Sequence, residues 1–382
     1  MQIARVAFHG FGATPKTNWC FLEVATEDGR SGWGECTLSQ HEAALAAEVG
    51  RLHAALVGQD AGNRNRHARL IGHAPGGLVR HTALSALEQA LSDLAAQAAG
   101  QPLVALLGGA VRGDVRLYAN INRAVAPRTA ANFAAAATRA VAEGFTAVKL
   151  APFEGLLWED SDRVGWAEAY AEGMARIAAV REAVPGARLM VDCHWRFSVP
   201  DAARLIRDLA ALDCWWVECP VSETWLPEIR RLRSMANDRG MRLAGAEALA
   251  GLAAYRPLVE AGAYDVLMPD IKYCGGHAEM ARIAALAHTA GIEVAPHNPS
   301  GPVCHAHSVH ACQSIPNAVM LEVQFGESPL FFSAMDGVVP GLAGGRTAAQ
   351  ATPGLGCAPN AAALAAHPWA PVKQVWLDPR LG

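Results

Sequence analysis

Six acidic and imidazole residues, Asp192, Glu218, Glu247, Asp270, His297 and Glu322, each close a short apolar run, and the steps between them are 26, 29, 23, 27 and 25 residues. The first three lie in VDCHW, WWVECP and AGAEAL. Three carboxylates brought to one place repel each other unless a cation sits among them, and an all-oxygen donor set favours Mg2+, with Mn2+ as its substitute. Taken singly, each reads more readily as a helix cap or an ion-pair partner; three in successive register shift the reading to a ligand set. Asp270 in LMPDIKYCGG and His297 in VAPHNPSG form a second unit. A carboxylate beside an imidazole fixes its tautomer and raises its basicity, which makes a general base.

Other residues could join this chemistry. His194 lies two beyond Asp192, on the same side of an extended segment, where a second imidazole could protonate a leaving hydroxide or serve as a loop histidine. The chain has four lysines against 28 arginines, and Lys149 and Lys272 fall at predicted strand ends. Lys149 could bind a substrate carboxylate or stabilise charge developing on it. Lys272 is read as a weaker substrate contact or a local salt bridge. Glu322 in MLEVQFGE is a hydrogen-bonding acid or a structural partner, and Asn120, Asn122 and Arg123 are further polar candidates for substrate binding. His305, His307 and His310 have no nearby carboxylate in sequence and are read as helical rather than metal-binding.

The even spacing matches one strand, one loop and one covering helix, and catalytic side chains of a (β/α)8 barrel stand at the C-terminal ends of its strands. Strands are expected near Val115 to Asn120, Ala147 to Ala151, Arg188 to Cys193, Trp215 to Glu218, Arg242 to Ala246, Asp265 to Met268, Ile292 to Ala295 and Ala318 to Val323. Helical segments fall between them, and an insertion follows the second strand over Glu154 to Trp166. Ahead of the barrel, Trp19 to Thr26 and Gly32 to Cys36 flank a turn, and Ala-rich helices follow. The expected class is α/β: an α+β cap over 1–114, a (β/α)8-type barrel over 115–326, and a Gly- and Pro-rich tail over 327–382, containing WLDP, that packs back on the cap.

At 382 residues, 52% hydrophobic and 18% charged, the chain can fill more than one core. A net charge of −4 leaves no basic footprint for nucleic acid, and no apolar stretch is long enough to span a bilayer. Its first residues, MQIARVAFHG, lack the pattern of a signal peptide, and nine scattered cysteines without a C-x-x-C pair read as reduced thiols, so a cytoplasmic setting is expected.

Together these motifs resemble the enolase superfamily, specifically its mandelate racemase subgroup, across nearly the whole chain. The resemblance rests on FLEVATEDGRSGWGE in the cap, PLVALLGG before the barrel, the three-carboxylate set, the Asp270 and His297 pair, the Gly275-Gly276 pair and Glu322. It implies a modified barrel with a capping domain, Mg2+ on Asp192, Glu218 and Glu247, proton abstraction beside a carboxylate by His297 oriented by Asp270, and Glu322 donating toward the enolate oxygen. It further implies subunits that associate into a homo-oligomer, and cap loops near His9 to Lys16 and Thr37 to Glu42 that read the far end of a small-molecule carboxylate substrate.

Racemases of the subgroup carry Lys-x-Lys after the second barrel strand, whereas this chain has Lys149-Leu150-Ala151. Asp192-Cys193-His194 instead resembles the Asp-x-His of acid-sugar dehydratases, whose His acts on the departing 3-hydroxyl. The expectation is an Mg2+-dependent aldonate or aldarate dehydratase, a lyase forming a 2-keto-3-deoxy acid. A racemase, epimerase or cycloisomerase of another carboxylate, such as a hydroxyproline-like amino acid or a lactone, and a non-catalytic ligand- or metal-binding barrel, are the alternatives.

Overall fold

The computed structural model describes residues 1–66, 77–160 and 165–371. Part of the expected insertion, 161–164, and the WLDP motif lie outside the described residues. The chain opens with a three-stranded antiparallel sheet, β1 (Ile3–Thr14), β2 (Thr17–Thr26) and β3 (Ser31–Glu35), in that order. Helices α1 (Glu42–Leu56) and α2 (Gly77–Ala98) cover it. The glycines of Gly32-Trp33-Gly34 set how closely they do so. A Cβ on Gly34 would stand 2.0 Å from the carbonyl oxygen of Ala86, so only glycine lets α2 lie this near β3. The longest cap strand, β1, has no counterpart among the expected elements.

Eight parallel strands follow: β4 (Val115–Asn120), β5 (Ala147–Leu150), β6 (Arg188–Asp192), β7 (Cys214–Glu218), β8 (Arg242–Gly245), β9 (Val266–Leu267), β10 (Glu293–Val294) and β11 (Leu321–Gln324). Each expected barrel strand is present. Pairing runs β10-β9-β8-β7-β6-β5-β4-β11, and a parallel bridge between Val294 and Ala318 closes the ring. Helices α3 (Ala130–Ala142), α4 (Trp166–Ala183), α5 (Val199–Ala210), α6 (Leu226–Asn237), α7 (Leu252–Glu260), α8 (Gly276–Thr289) and α9 (Pro302–Ser314) alternate with the strands. Helix α5 shows how these helices are specified. Ser198 caps it by accepting from the Asp201 amide at 3.3 Å, and Ala202, Leu205, Ile206 and Leu209 recur on its buried face. Each buried aliphatic side chain contributes about 1.5–3 kcal/mol. Inside the ring, Tyr118, Met190, Trp216, Met268 and Met320 fill the barrel as a packed core.

Cap, barrel and tail are joined by buried polar contacts. Glu35 accepts from the amides of Gly301 (2.7 Å) and Cys304 (2.8 Å) at the start of α9, where amides that helix geometry leaves unpaired meet a carboxylate. Gln89 of α2 donates to the carbonyl of Ile271 at 3.2 Å, and Glu88 accepts from the His277 amide at 2.7 Å. From the tail, the Leu355 amide donates to Asp93 at 2.8 Å and the His367 carbonyl accepts from the Gly12 amide at 2.9 Å.

Candidate active site

The ends of β9 and β10 are cut short by Pro269 and Pro296, which lack the N–H a strand ladder needs. The next residues, Asp270 and His297, therefore turn out of the ladder at the same height. His297 Nδ1 lies 2.7 Å from Asp270 Oδ2. Lys272, buried, donates to the same carboxylate through both its ammonium and its amide, the latter at 2.8 Å. Burial would raise the Asp270 pKa, but Lys272 and His297 outweigh it and hold the carboxyl ionised, below its ordinary range. An ionised Asp270 fixes the proton of His297 on Nδ1 and leaves the lone pair on Nε2. Burial lowers the imidazole pKa, so His297 is neutral near pH 7 despite its acidic neighbours.

Three more carboxylates stand beside this dyad. Asp192 and Glu218 end β6 and β7 in register, and Glu247 follows β8. The backbone bends sharply there, with positive φ at His194 (46°), Cys219 (42°) and Ala246 (72°), conformations that cost non-glycine residues about 1–3 kcal/mol and concentrate at functional sites. Lys149 Nζ pairs with Glu218 Oε1, lies 2.9 Å from Glu322 Oε1 and stands 3.9 Å from Asp192 Oδ2. Burial alone would lower the Lys149 pKa; Glu218 and Glu322 overcome it and push it up. Lys149, expected at the substrate carboxylate, is instead fully buried among carboxylates, and it is the cation that lets them share a site.

Glu218 and Glu247 each retain a buried Oε2 with no hydrogen-bond partner among the described residues. Burial raises both pKa values, for Glu247 with Asp192 and Glu218 adding to the rise. Two orphaned carboxylate oxygens beside a third carboxylate are the donor chemistry a hard divalent cation takes, so the residues fit Mg2+. Among the described residues no group of three or more His, Cys, Asp and Glu stands in a ready coordination shell. Asp192 bonds His194, through Nε2 at 2.8 Å and the amide at 3.0 Å. Glu322 accepts from Asn120 at 2.6 Å and from the Asn298 amide at 3.2 Å, besides its contact with Lys149. Burial notwithstanding, Lys149 holds it ionised, with the hydrogen bond from Asn120 adding to the effect. The resemblance implies a proton donor at Glu322; its neighbours here are all donors and it accepts.

A cavity of about 400 Å3 opens beside Asp192 and His194. On the barrel side it is lined by Asn122, Arg123, Arg128, Ala151 and Glu154, and on the cap side by the β1–β2 turn, Thr14 to Thr17. Of the expected polar candidates, Asn122 and Arg123 line it, whereas Asn120 is engaged with Glu322 and Lys272 with Asp270. The turn includes Lys16 of the expected cap segment, while Thr37 is bound within the cap to Glu35 at 2.7 Å. Sequence reading missed Arg128, Glu154, Arg196 and Glu327. Glu327 joins the two sides, accepting from Thr17 Oγ1 at 2.6 Å and from Arg123 at 2.9 and 3.2 Å. Its one local signal is a charge placed directly after Gly326, where β11 leaves the barrel. The three helical histidines are buried in α9 and are not among the residues lining this cavity.

The chain is similar to known proteins over almost its full length. A family profile for the enolase C-terminal domain-like fold matches residues 132–363, and one for the mandelate racemase/muconate lactonizing enzyme N-terminal domain matches 4–108. A D-galactonate dehydratase of Verminephrobacter eiseniae is 32% identical over 312 residues, 81% of this chain and 78% of that protein. Among solved structures, the mandelate racemase/muconate lactonizing enzyme of Jannaschia sp. CCS1 superposes with a TM-score of 0.85 at 26% identity, covering 99% of this chain and 100% of that one. An enolase from Agrobacterium radiobacter, described as a candidate galactarate dehydratase and bound to Na and L-malate, gives 0.85 at 28%, covering 98% and 97%. On these matches the chain belongs to the mandelate racemase/muconate lactonizing enzyme family of the enolase superfamily.

Proposed function

We propose that the protein is an acid-sugar dehydratase that takes an aldonate or aldarate to a 2-keto-3-deoxy acid, with Mg2+ held by Asp192, Glu218 and Glu247. The observation that carries the reading is that the carboxylate cluster has an imidazole at each of two members: Asp-oriented His297 stands 3.7 Å from Glu247, and His194 bonds Asp192 at the cavity, where Ala151 offers no second base. The similarity to a D-galactonate dehydratase supports it. When bound, Mg2+ supplies positive charge at the substrate carboxylate and so acidifies the C2 proton. His297 Nε2 accepts that proton, and the electron pair left on C2 forms the C2–C3 double bond as the C3–O bond breaks. His194 delivers a proton to the departing hydroxide, which leaves as water. The resulting enol takes a proton at C3 as its C2 hydroxyl gives one up, and becomes the 2-keto acid. Asp270 holds the imidazolium formed at His297, and Lys149 keeps the carboxylate cluster compensated throughout.

The test is a panel of stereoisomeric aldonates and aldarates with Mg2+, scored for 2-keto acid, with His297→Asn and His194→Asn run beside the wild type. A hit is expected to disappear in His297→Asn and to fall by about 10²–10⁴-fold in His194→Asn, the range for a missing general acid. No 2-keto acid from any member of the panel would sink the proposal. Exchange of the C2 proton in D2O without loss of water would favour an epimerase or racemase instead.

A further inference from the structure

The opposite end of the barrel, where the strands begin, carries a second cavity of about 470 Å3. Five arginines line it: Arg112, Arg116, Arg188, Arg242 and Arg346, with Asp114 and Glu293 as the acidic lining residues. The excess of three positive charges stands against a chain of net charge −4. Arg346 is neutralised by Asp114 through two bonds of 2.6 and 2.7 Å, and Arg242 pairs with Glu293. Arg112 is fixed by the carbonyls of Cys312, Ile315 (2.7 Å) and Pro316 (2.8 Å), which hold it without removing its charge. Among the described residues no ion pair holds Arg116 or Arg188. Arg188 lies 4.5 Å from the Trp215 ring centroid and Arg242 lies 5.2 Å from it, one from each strand flanking β7.

We propose that this cavity is a binding site for a multiply charged oxyanion of the phosphate type, with Arg116 and Arg188 as its principal ligands. Guanidiniums crowded together repel one another, and an anion bridging them relieves that repulsion. A guanidinium presents a planar fork matched to two oxygens of a phosphate. Stacking on Trp215 orders Arg188, and bonding to backbone carbonyls orders Arg112 beside it, so less conformational entropy is lost on binding. A nucleoside base is not the part recognised. The Trp215 ring already has Trp216 stacked on it at 5.2 Å and two guanidiniums beside it, so no aromatic platform is left over. The inference is independent of the acid-sugar reading, because no residue of the candidate active site takes part.

The probe is inorganic diphosphate, titrated calorimetrically into metal-free wild-type protein at low ionic strength and again with added salt. Binding in the micromolar to sub-millimolar range is expected, weakening as salt screens the arginines. The double variant Arg116→Gln/Arg188→Gln is expected to bind at least about tenfold more weakly, since each charge-assisted bond is worth roughly that factor or more. It should leave turnover of any substrate unchanged. Both side chains are exposed, so folding is not at stake; Arg116→Lys and Arg188→Lys, which keep charge but lose the fork, provide a second reading and are expected to weaken binding less. Absence of binding up to about millimolar diphosphate, or equal affinity in wild type and the double Gln variant, would overturn the proposal.

Discussion

Lys149 shows how one side chain governs a cluster. Its ammonium touches Glu218 and Glu322 and faces Asp192, all of them buried. Removing one partner of a buried ion pair leaves the other charge desolvated and uncompensated, at a cost of about 3–5 kcal/mol. Lys149→Met, similar in volume but neutral, is therefore expected to lose that much stability in urea unfolding of the metal-free protein. Mg2+ should restore part of the loss by supplying another cation to the same oxygens. A loss under about 1 kcal/mol, the value of an exposed pair, would mean that the carboxylates are already protonated without it. The residue types of the site were legible because strand-end position alone brings Asp192, Glu218, Glu247, Asp270, His297 and Glu322 together. Where a long cation points was not. Lys149 sits beside acids contributed by other barrel strands and Lys272 beside an acid two residues before it, and sequence order does not tell a substrate contact from an internal counter-ion.

At the scale of the element, α9 carries its own pH dependence. His307 Nε2 lies 2.8 Å from the Trp33 carbonyl, to which it can only donate, so its Nδ1 is an acceptor and His277 Nε2, 2.8 Å away, is the donor. His310 Nδ1 accepts from the Val104 amide at 3.0 Å. These imidazoles bind the cap and the segment ahead of the barrel in their neutral forms. Burial lowers the pKa of His305 to about 4, of His307 to about 3 and of His310 to about 4. In the unfolded chain each returns to its ordinary value near 6.5. Between those limits the unfolded state binds more protons, so the contribution to stability is whole above about pH 6.5 and is lost as pH falls toward 4. Urea unfolding at pH 7, 6 and 5 is expected to show a loss on the order of several kcal/mol, and a shallower slope in His307→Phe; a flat profile would contradict this account. All eight barrel strands were readable as short apolar runs, and the α9 segment as a helix. The strand β1 was not, because Gly10 and Gly12 interrupt its alternation. Their reason is distant: a Cβ on Gly10 would stand 2.1 Å from the Trp369 ring, a contact made across the whole chain.

For the molecule as a whole, the consequential contacts are those between segments far apart in sequence. The turn joining β1 and β2 forms one wall of the cavity, and Glu327, beyond the last barrel strand, holds that wall through Thr17 while also binding Arg123 on the barrel side. A carboxylate 310 residues from its partner carries no local sign of that partner, which is why this tether was invisible in sequence although the strand-end acids were not. Glu327 does not contact the dyad or the carboxylate cluster in any bond described; in the proposed reaction its part would be to position the cap wall over the substrate's far end. Glu327→Ala would free Thr17 and remove the carboxylate that Arg123 binds on the barrel side. If the cavity holds the acid sugar, the expected result is a KM raised by about tenfold, as for one lost charge-assisted contact, with kcat changed far less because the proton-transfer groups stay in place. Glu327→Gln, which can still accept from Thr17, should recover much of the KM. Steady-state kinetics of both variants decide it: equal KM values in wild type and Glu327→Ala would show that the cap wall does not read substrate, and a collapse of kcat at unchanged KM would assign Glu327 to the chemistry itself.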